Sequence, residues 1–424
     1  MRKLKNLRWY IAALLFTSTV INYIDRQTLS VVKPHLMRDL HLSELDYAHI
    51  VQGWLLAYTI MYVVSGFLVD RWGTRKALAA FVSWWSFANV LHVFARTAGS
   101  LSFFQVLLGI GEPGNYNAAC RAASEWYPPK ERAFINGLAN AGSALGAIIA
   151  MPLVAWLLIH YGWRYAFVAT GLLGFIWLIP WLLLYRLPRE HTSITDAELD
   201  YIHSGPPVLC PEGKPTVKQL LAKPDIWGLM LARFFSDPVW WFYLFWLPGY
   251  LQKQRGFTLT QIAIFGWLPY LASDIGGLFG GWLSDRMITW AGSPVRARFI
   301  PMAVCAAIMP VSLLIPGTHT MAGLIVVLCI VTFAHMAWKT NLMTITNDVY
   351  PMECIGTVFG ILMLGSGIGG FLFQGITAHI VEGFSYKGVF IIMGFMHPVA
   401  MVVCYWLMRR AKLTDRLKTV IDAT

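Results

Sequence analysis

Two adjacent charged residues, Asp25 and Arg26, stand inside a stretch otherwise apolar enough to lie in a membrane. Neighbours at i and i+1 do not face each other on a helix, so each needs a partner from elsewhere in the chain or a mobile ligand. An ionised group at the centre of a membrane helix costs on the order of 2.5–3.5 kcal/mol on insertion scales, which makes such a residue a functional candidate. Glu112 is another, in Gly109-Ile-Gly-Glu112-Pro-Gly-Asn115. The glycines permit close helix approach, Pro113 removes a backbone donor, and a carboxyl withdrawn from water there suits proton uptake and release. Its bland alternative is a protonated structural Glu bonded to a neighbouring helix. Arg233 and Asp237, at i and i+4, are accounted for equally well by an intrahelical ion pair. Trp240 and Trp241 follow, and their broad rings suit a sugar face or the membrane interface. Lys339 lies four residues after His335, beside Trp338 and Asn341, and without a local carboxylate it calls for an anion. Arg121 is the remaining cation of the spans, and Asp274, among glycines, reads as a packing or gating residue.

The elements that must carry these groups are membrane helices. Of 424 residues 57% are hydrophobic and 13% charged, against about 25% charged in an ordinary globular protein, and mean hydropathy is +0.56. So few charges cannot cover a water-facing surface of this size. A spanning helix needs about 20 mainly apolar residues. Twelve are expected, at 9–32, 46–69, 77–95, 99–123, 133–160, 165–185, 226–252, 258–283, 299–316, 319–345, 354–380 and 388–408. The basic start, Met1 to Arg8, is expected to precede a retained first span and not a signal peptide, because no small-residue cleavage site follows. The reading is an all-α membrane protein with two six-helix bundles, 1–185 and 226–424, joined by a linker loop at 186–225. In that loop Thr195 and Glu198 have the spacing of a capping box opening a short helix.

The halves echo one another. Gly66-Phe-Leu-Val-Asp70-Arg71-Trp-Gly-Thr-Arg75-Lys76 follows the second span and Gly281-Trp-Leu-Ser-Asp285-Arg286 the eighth, with Arg296 and Arg298 beyond, which implies a duplicated six-span unit. With the N-terminus inside, inner segments hold about 22 of the 33 cations, including Arg2, Lys3, Lys5, Arg8, Lys130, Arg132 and Arg409, Arg410, Lys412, Arg416, Lys418. Outer loops hold about seven, Lys33 and Lys253 among them, so both termini and the linker are expected in the cytoplasm. The net charge of +11 is thus an orienting asymmetry suited to a lipid bilayer and no sign of nucleic acid. Six scattered cysteines are expected as free buried thiols. No nucleophile elbow, phosphate-binding loop or zinc-protease motif occurs, so neither an enzyme nor a metal site is expected and no residue is assigned a catalytic role.

The Asp70–Lys76 loop resembles the signature loop of the major facilitator superfamily, and the resemblance extends over all twelve spans. Asn22-Tyr23-Ile-Asp25-Arg26-Gln-Thr-Leu, the Glu112 motif with Ser124-Glu-Trp-Tyr-Pro-x-Lys130-Glu-Arg132, and Ala232-Arg233-Phe-x-x-Asp237-Pro-x-Trp240-Trp241 are similar to the anion:cation symporter family, most of all its hexuronate transporter branch. Phe333-Ala-His335-x-Ala-Trp338 points the same way. The resemblance implies a proton-coupled importer of a sugar acid such as glucuronate or galacturonate, working by alternating access, multi-pass in the bacterial inner membrane and monomeric. It needs no cofactor, a proton or sodium being the coupling ion. Asp25 and Glu112 match the proton-coupling carboxylates, and Arg26, Tyr23, Tyr58 and Ser143 match positions that contact the sugar acid. Where relatives carry Arg, this chain has Gln105, and Lys339 is expected to supply the missing cation, with Trp240, His335 and Asn341 as further contacts. Asp70, Arg71, Arg75, Asp285 and Arg286 are expected to act as gating loops. The alternatives are a symporter of galactonate, glucarate, dicarboxylate or phosphate, an antiporter or exporter, and a membrane sensor. An exporter's Gly-Pro-rich fifth span is lacking, and no loop is large enough for an effector domain.

Overall fold

The structure, a computed structural model, describes residues 6–202, 216–350, 352–383 and 385–410, without the side chains at 129, 130, 132–134, 140, 352–356 and 410. Of the residues named above, Arg2, Lys3, Lys5, Cys210, Lys412, Arg416 and Lys418, and the side chains of Lys130, Arg132, Cys354 and Arg410, lie outside the described residues. Apart from turns and short connections the described chain is helical, with no strand among its residues. The first helices are α1 (Leu7–Asp39), α2 (Glu44–Trp72), α3 (Thr74–Leu91), α4 (Ala98–Gly111), α5 (Gly114–Trp126), α6 (Pro129–Tyr161) and α7 (Trp163–Leu184). Two short ones follow around the linker, α8 (Asp196–Ile202) and α9 (Val217–Leu221), and then the long α10 (Pro224–Phe245). The remainder are α11 (Leu247–Lys253), α12 (Leu259–Phe265), α13 (Leu268–Ala291), α14 (Pro294–Ile308), α15 (Met321–Val349), α16 (Met352–Gly383) and α17 (Tyr386–Arg410).

Ten helical stretches are long and apolar enough to cross a membrane. The expected spans at 99–123 and 226–252 are not among them, for a local reason. Pro113 has no N–H, so α4 stops at Gly111 and α5 restarts at Gly114. The other is divided at Trp246 between α10 and α11, just ahead of Pro248, and α10 carries the charges of Asp225, Arg233 and Asp237.

Two compact units form: Met1–Leu209 with Leu251–Ile264, and Cys210–Tyr250 with Phe265–Thr424. In the first, α1 packs along α6, α2 along α4 and α3 along α7; in the second, α10 packs along α16 and α17, and α13 along α15. The seams are drawn tight by glycine. A Cβ on Gly146 would lie 2.4 Å from the Val20 carbonyl oxygen and 2.7 Å from Tyr23 Cβ, and one on Gly276 would lie 2.2 Å from the Phe333 carbonyl oxygen. No side chain fits at either place, so the backbones meet directly.

Two expectations need correction. Cys305 and Cys404 are buried, but Cys120 is exposed and Cys329 half-buried, because they occupy the outer faces of α5 and α15. Lys33 is not in a loop. The first helix continues to Asp39, and Lys33 is fully buried, its Nζ 2.7 Å from Glu44 Oε2 and 4.1 Å from the Tyr47 ring centre.

Candidate functional site

Asp25 and Arg26 leave α1 toward different neighbours, as the i, i+1 geometry requires. Asp25 is fully buried, and its Oδ1 accepts a 2.7 Å hydrogen bond from Asn89 Nδ2 on α3. The same amide nitrogen reaches Thr170 Oγ1 at 2.8 Å and the Phe167 carbonyl at 3.2 Å, both on α7. Asn89 and Thr170 were not singled out from sequence. A lone Asn in the apolar run of the third span is the signal that could have drawn attention to them.

Arg26 turns the other way. Its Nη2 lies 2.8 Å and its Nε 3.1 Å from Glu112 Oε2, and Nη2 also donates to Asn22 Oδ1 at 3.2 Å. The guanidinium carbon is 4.7 Å from the Tyr23 ring centre, 4.9 Å from Trp54 and 4.9 Å from Tyr58. Arg26 is only 3% exposed and Glu112 not at all. A planar cation inside three rings gains cation–π attraction that grows as water is removed. The break after α4 places Glu112 here: it is the last residue before Pro113, where the chain turns between α4 and α5. Gln105, two turns earlier on α4, is buried, and its Nε2 meets no partner among the described residues. Ser143 is half-buried on α6 beside Gly142 and Gly146, in the seam that also holds Tyr23.

In the second unit Arg233 and Asp237 form the intrahelical pair, Nη2 to Oδ2 2.7 Å. Trp240, one turn on, stacks on His335 with ring centres 5.7 Å apart and planes 7° from parallel. Lys339 Nζ lies 5.8 Å from the Trp240 ring. His335 Nδ1 is 3.1 Å from Nε2 of His397 on α17, a residue that sequence reading missed. Asn341 is largely committed to the scaffold, donating to the carbonyls of Gly280 at 3.1 Å and Ala337 at 2.9 Å.

The gating-loop aspartates find partners other than their sequence neighbours. Asp70 pairs with Arg121, which also holds Glu125 at 3.0 Å, so Arg121 is no isolated cation of a span. Asp285 pairs with Arg298 at 2.5 Å, and Arg298 holds Asp348 at 3.2 Å. Arg71 is exposed, Arg75 donates to the Leu182 carbonyl at 2.5 Å, and Arg286 lies 5.3 Å over the Trp282 ring. Each unit thus builds one cation between two carboxylates, but from different helices: α5 in the first, α14 in the second.

Among the described residues no group of three His, Cys, Asp or Glu could hold a metal ion. Residues 15–374 match the family model of the Major Facilitator Superfamily. The hexuronate transporter of Escherichia coli K12 is 32% identical over 413 residues, covering 96% of each chain. A galacturonate transporter of Dickeya chrysanthemi is 34% identical over 286 residues, 67% of this chain and 83% of that one. Among solved structures, a bacterial homologue of the human lysosomal transporter Spinster, in an inward-facing and unoccupied conformation, shares the fold. Its TM-score is 0.72 at 19% identity, over 96% of both chains. The chain therefore belongs to the Major Facilitator Superfamily, as a multi-pass transporter of the plasma membrane and not an enzyme.

Proposed function

We propose that this transporter is a proton-coupled symporter importing a monosaccharide acid of the hexuronate class. The observation that carries the reading is the buried Arg26–Glu112 pair within its ring of Tyr23, Trp54 and Tyr58. A substrate carboxylate and the Glu112 carboxylate compete for one guanidinium. While Glu112 is ionised, Arg26 is occupied; a proton on Glu112 removes the charge that holds it, and Arg26 then offers its fork to an incoming carboxylate. Loss of that proton on the other side of the membrane returns Glu112 to Arg26 and expels the anion. Proton and anion so travel together.

Asp25, held by Asn89, is the second proton carrier of this reading. The hydroxyls of Tyr23, Tyr58 and Ser143 serve the substrate's polyol. In the second unit Lys339 is the cation that answers for Gln105, Trp240 offers a sugar-stacking face, and His335 and the free oxygen of Asn341 offer polar contacts. The membrane is crossed twelve times, with α4–α5 and α10–α11 as the two broken crossings, both termini in the cytoplasm, and transport by alternating access in a monomer. The Asp70–Arg121 and Asp285–Arg298 pairs are the inner latches, gating only if they differ between states. No cofactor is used. The relatives' printed substrates, hexuronate and galacturonate, support the substrate class.

The test is uptake of labelled glucuronate into proteoliposomes with and without an inward proton gradient. Uptake is expected to rise with the gradient, and Glu112→Gln is expected to retain binding while losing the gradient's drive. Uptake indifferent to the gradient in the unmutated protein would sink proton symport. Competition by galactonate, glucarate and phosphate ranks the substrates, and a stronger effect from any of these than from galacturonate would replace the hexuronate assignment.

A further inference from the structure

His397 stands in an apolar run of α17, just ahead of Pro398. It is fully buried, as is His335 on α15, and the two rings meet across the seam between their helices. His335 Nδ1 lies 3.1 Å from His397 Nε2, with ring centres 5.1 Å apart and planes at 79°. The edge of Trp338 meets the His397 ring at 5.4 Å, while His335 lies flat against Trp240 at 5.7 Å. Trp240, His335 and His397 thus form a file from α10 through α15 to α17, all within the second unit.

A neutral imidazole carries one donor and one acceptor, so the contact is a single N–H···N bond and makes the two outer nitrogens complementary. Where His335 Nδ1 donates, His335 Nε2 is bare and His397 Nδ1 carries a hydrogen; where His397 Nε2 donates, the two are exchanged. Both outer nitrogens are buried, and neither has a hydrogen-bond partner among the described residues. A buried polar atom left in that state is costly. The His335 end is the one beside the groups assigned to the cargo: Lys339 follows it by one turn of α15, and Lys339 Nζ lies 5.8 Å from the Trp240 ring. With Arg233 and Asp237 on α10, that side holds two cations and one carboxylate. A positive side favours a lone pair facing it, so His335 Nδ1 donates to His397 and His335 Nε2 is the acceptor.

We propose that His397 is a positioning residue for cargo recognition. It fixes the plane and tautomer of His335, so that His335 Nε2 accepts a hydrogen bond from a hydroxyl of the sugar acid, which rests on the reading above that the cargo meets Trp240, His335 and Lys339. Without His397 the His335 ring keeps its stacking on Trp240 but loses the contact that chooses between its two flips and its two tautomers. A site built to pair a substrate hydroxyl rejects an analogue lacking it far more strongly than an apolar pocket does. The His335–His397 bond is therefore a specificity element, selecting polyhydroxy acids over deoxy acids.

Glucuronate uptake kinetics in proteoliposomes and solid-state nitrogen NMR spectra of the histidine rings, both on the full-length protein, test the assignment. His397→Phe keeps a ring of similar size without its nitrogens. It is expected to raise the KM for glucuronate about tenfold, as for one lost neutral hydrogen bond, with kcat little changed, the pattern of lost binding. His397→Gln, whose amide stands where Nε2 stands, is expected to regain most of the affinity. In a His335→Phe background, His397→Phe is expected to add nothing. In the spectra, which need no cargo, His335 is expected to hold one tautomer with Nε2 bare, and to become a mixture of both in His397→Phe. An unaltered His335 signal in that variant would overturn the positioning role whatever the cargo. So would a rise in KM that persists in full beside His335→Phe. An unchanged KM in His335→Phe, with the spectra responding as expected, would instead overturn the cargo contact at His335 and the proposal with it.

Discussion

Asp25 and Arg26 are consecutive, yet one is built into a hydrogen-bonded corner with Asn89 and Thr170 and the other into an ion pair within an aromatic ring. That divergence was legible, because it follows from the rotation between helix neighbours. The identity of the partner was not: Glu112 lies 86 residues away, and no local spacing rule connects them. Arg233 and Asp237 were readable as a pair because the helix itself sets their separation. Lys339 marks the residue-scale prediction. If it meets the substrate anion, Lys339→Ala should raise the KM for glucuronate about 10-fold or more, as for one lost hydrogen bond to a charged group, and Lys339→Arg should restore much of it. An unchanged KM would remove Lys339 from the site and leave Gln105 uncompensated.

At the scale of elements, the linker helix α8 does more than its capping spacing suggested. As that spacing predicts, the Glu198 N–H donates to Thr195 Oγ1 at 3.3 Å. Its carboxylate, however, goes to the start of α1, accepting from the backbone N–H groups of Leu7 at 3.1 Å and Arg8 at 3.0 Å. The first turn of a helix leaves N–H groups without intrahelical partners and favours a negative charge. A distant residue thus caps the helix that carries Asp25 and Arg26, which a reading confined to local spacing could not find. Glu198→Ala should cost about 0.5–2 kcal/mol, the usual value of a lost cap. It should also speed hydrogen exchange in the first turn of α1 while sparing the amides around Arg26. Unaltered exchange at Leu7 and Arg8 would show that the contact does not hold the helix end. The helices themselves were legible from apolar run length, and the two broken ones are divided where Pro113 and Pro248 interrupt the backbone.

For the whole molecule, the duplicated loops lead to carboxylate–cation–carboxylate clusters that differ in burial. The Arg121 side chain is 34% exposed and its partner Asp70 75%, whereas the Arg298 side chain is 6% exposed, with Asp285 at 64% and Asp348 at 19%. Exposed pairs contribute about 0–1 kcal/mol, while removing the buried member of a pair costs more because a poorly hydrated charge is stranded. Arg298→Gln should therefore lower the unfolding temperature more than Arg121→Gln. Equal shifts would show that burial does not set the difference. The duplication was visible in the repeated Gly-x-x-x-Asp-Arg pattern, but the change of helix supplying the cation was not, since each pairing closes only in three dimensions.

The fourteen residues Leu251–Ile264 follow α10 of the second unit in the chain yet pack with the first, where Gln252 Nε2 donates to the Val31 carbonyl at 3.4 Å and Lys253 Nζ reaches Glu44 at 2.8 Å. Covalent order and folded membership thus disagree. A ribosome releases all of α1 to α8 before the segment that completes their unit exists. The first unit cannot finish as an autonomous folding step, and a chain severed in the linker would yield one fragment lacking a piece of itself and another carrying that piece. Reassembly from the two fragments would then begin with a built-in recognition element, a short peptide strap returned to its own half.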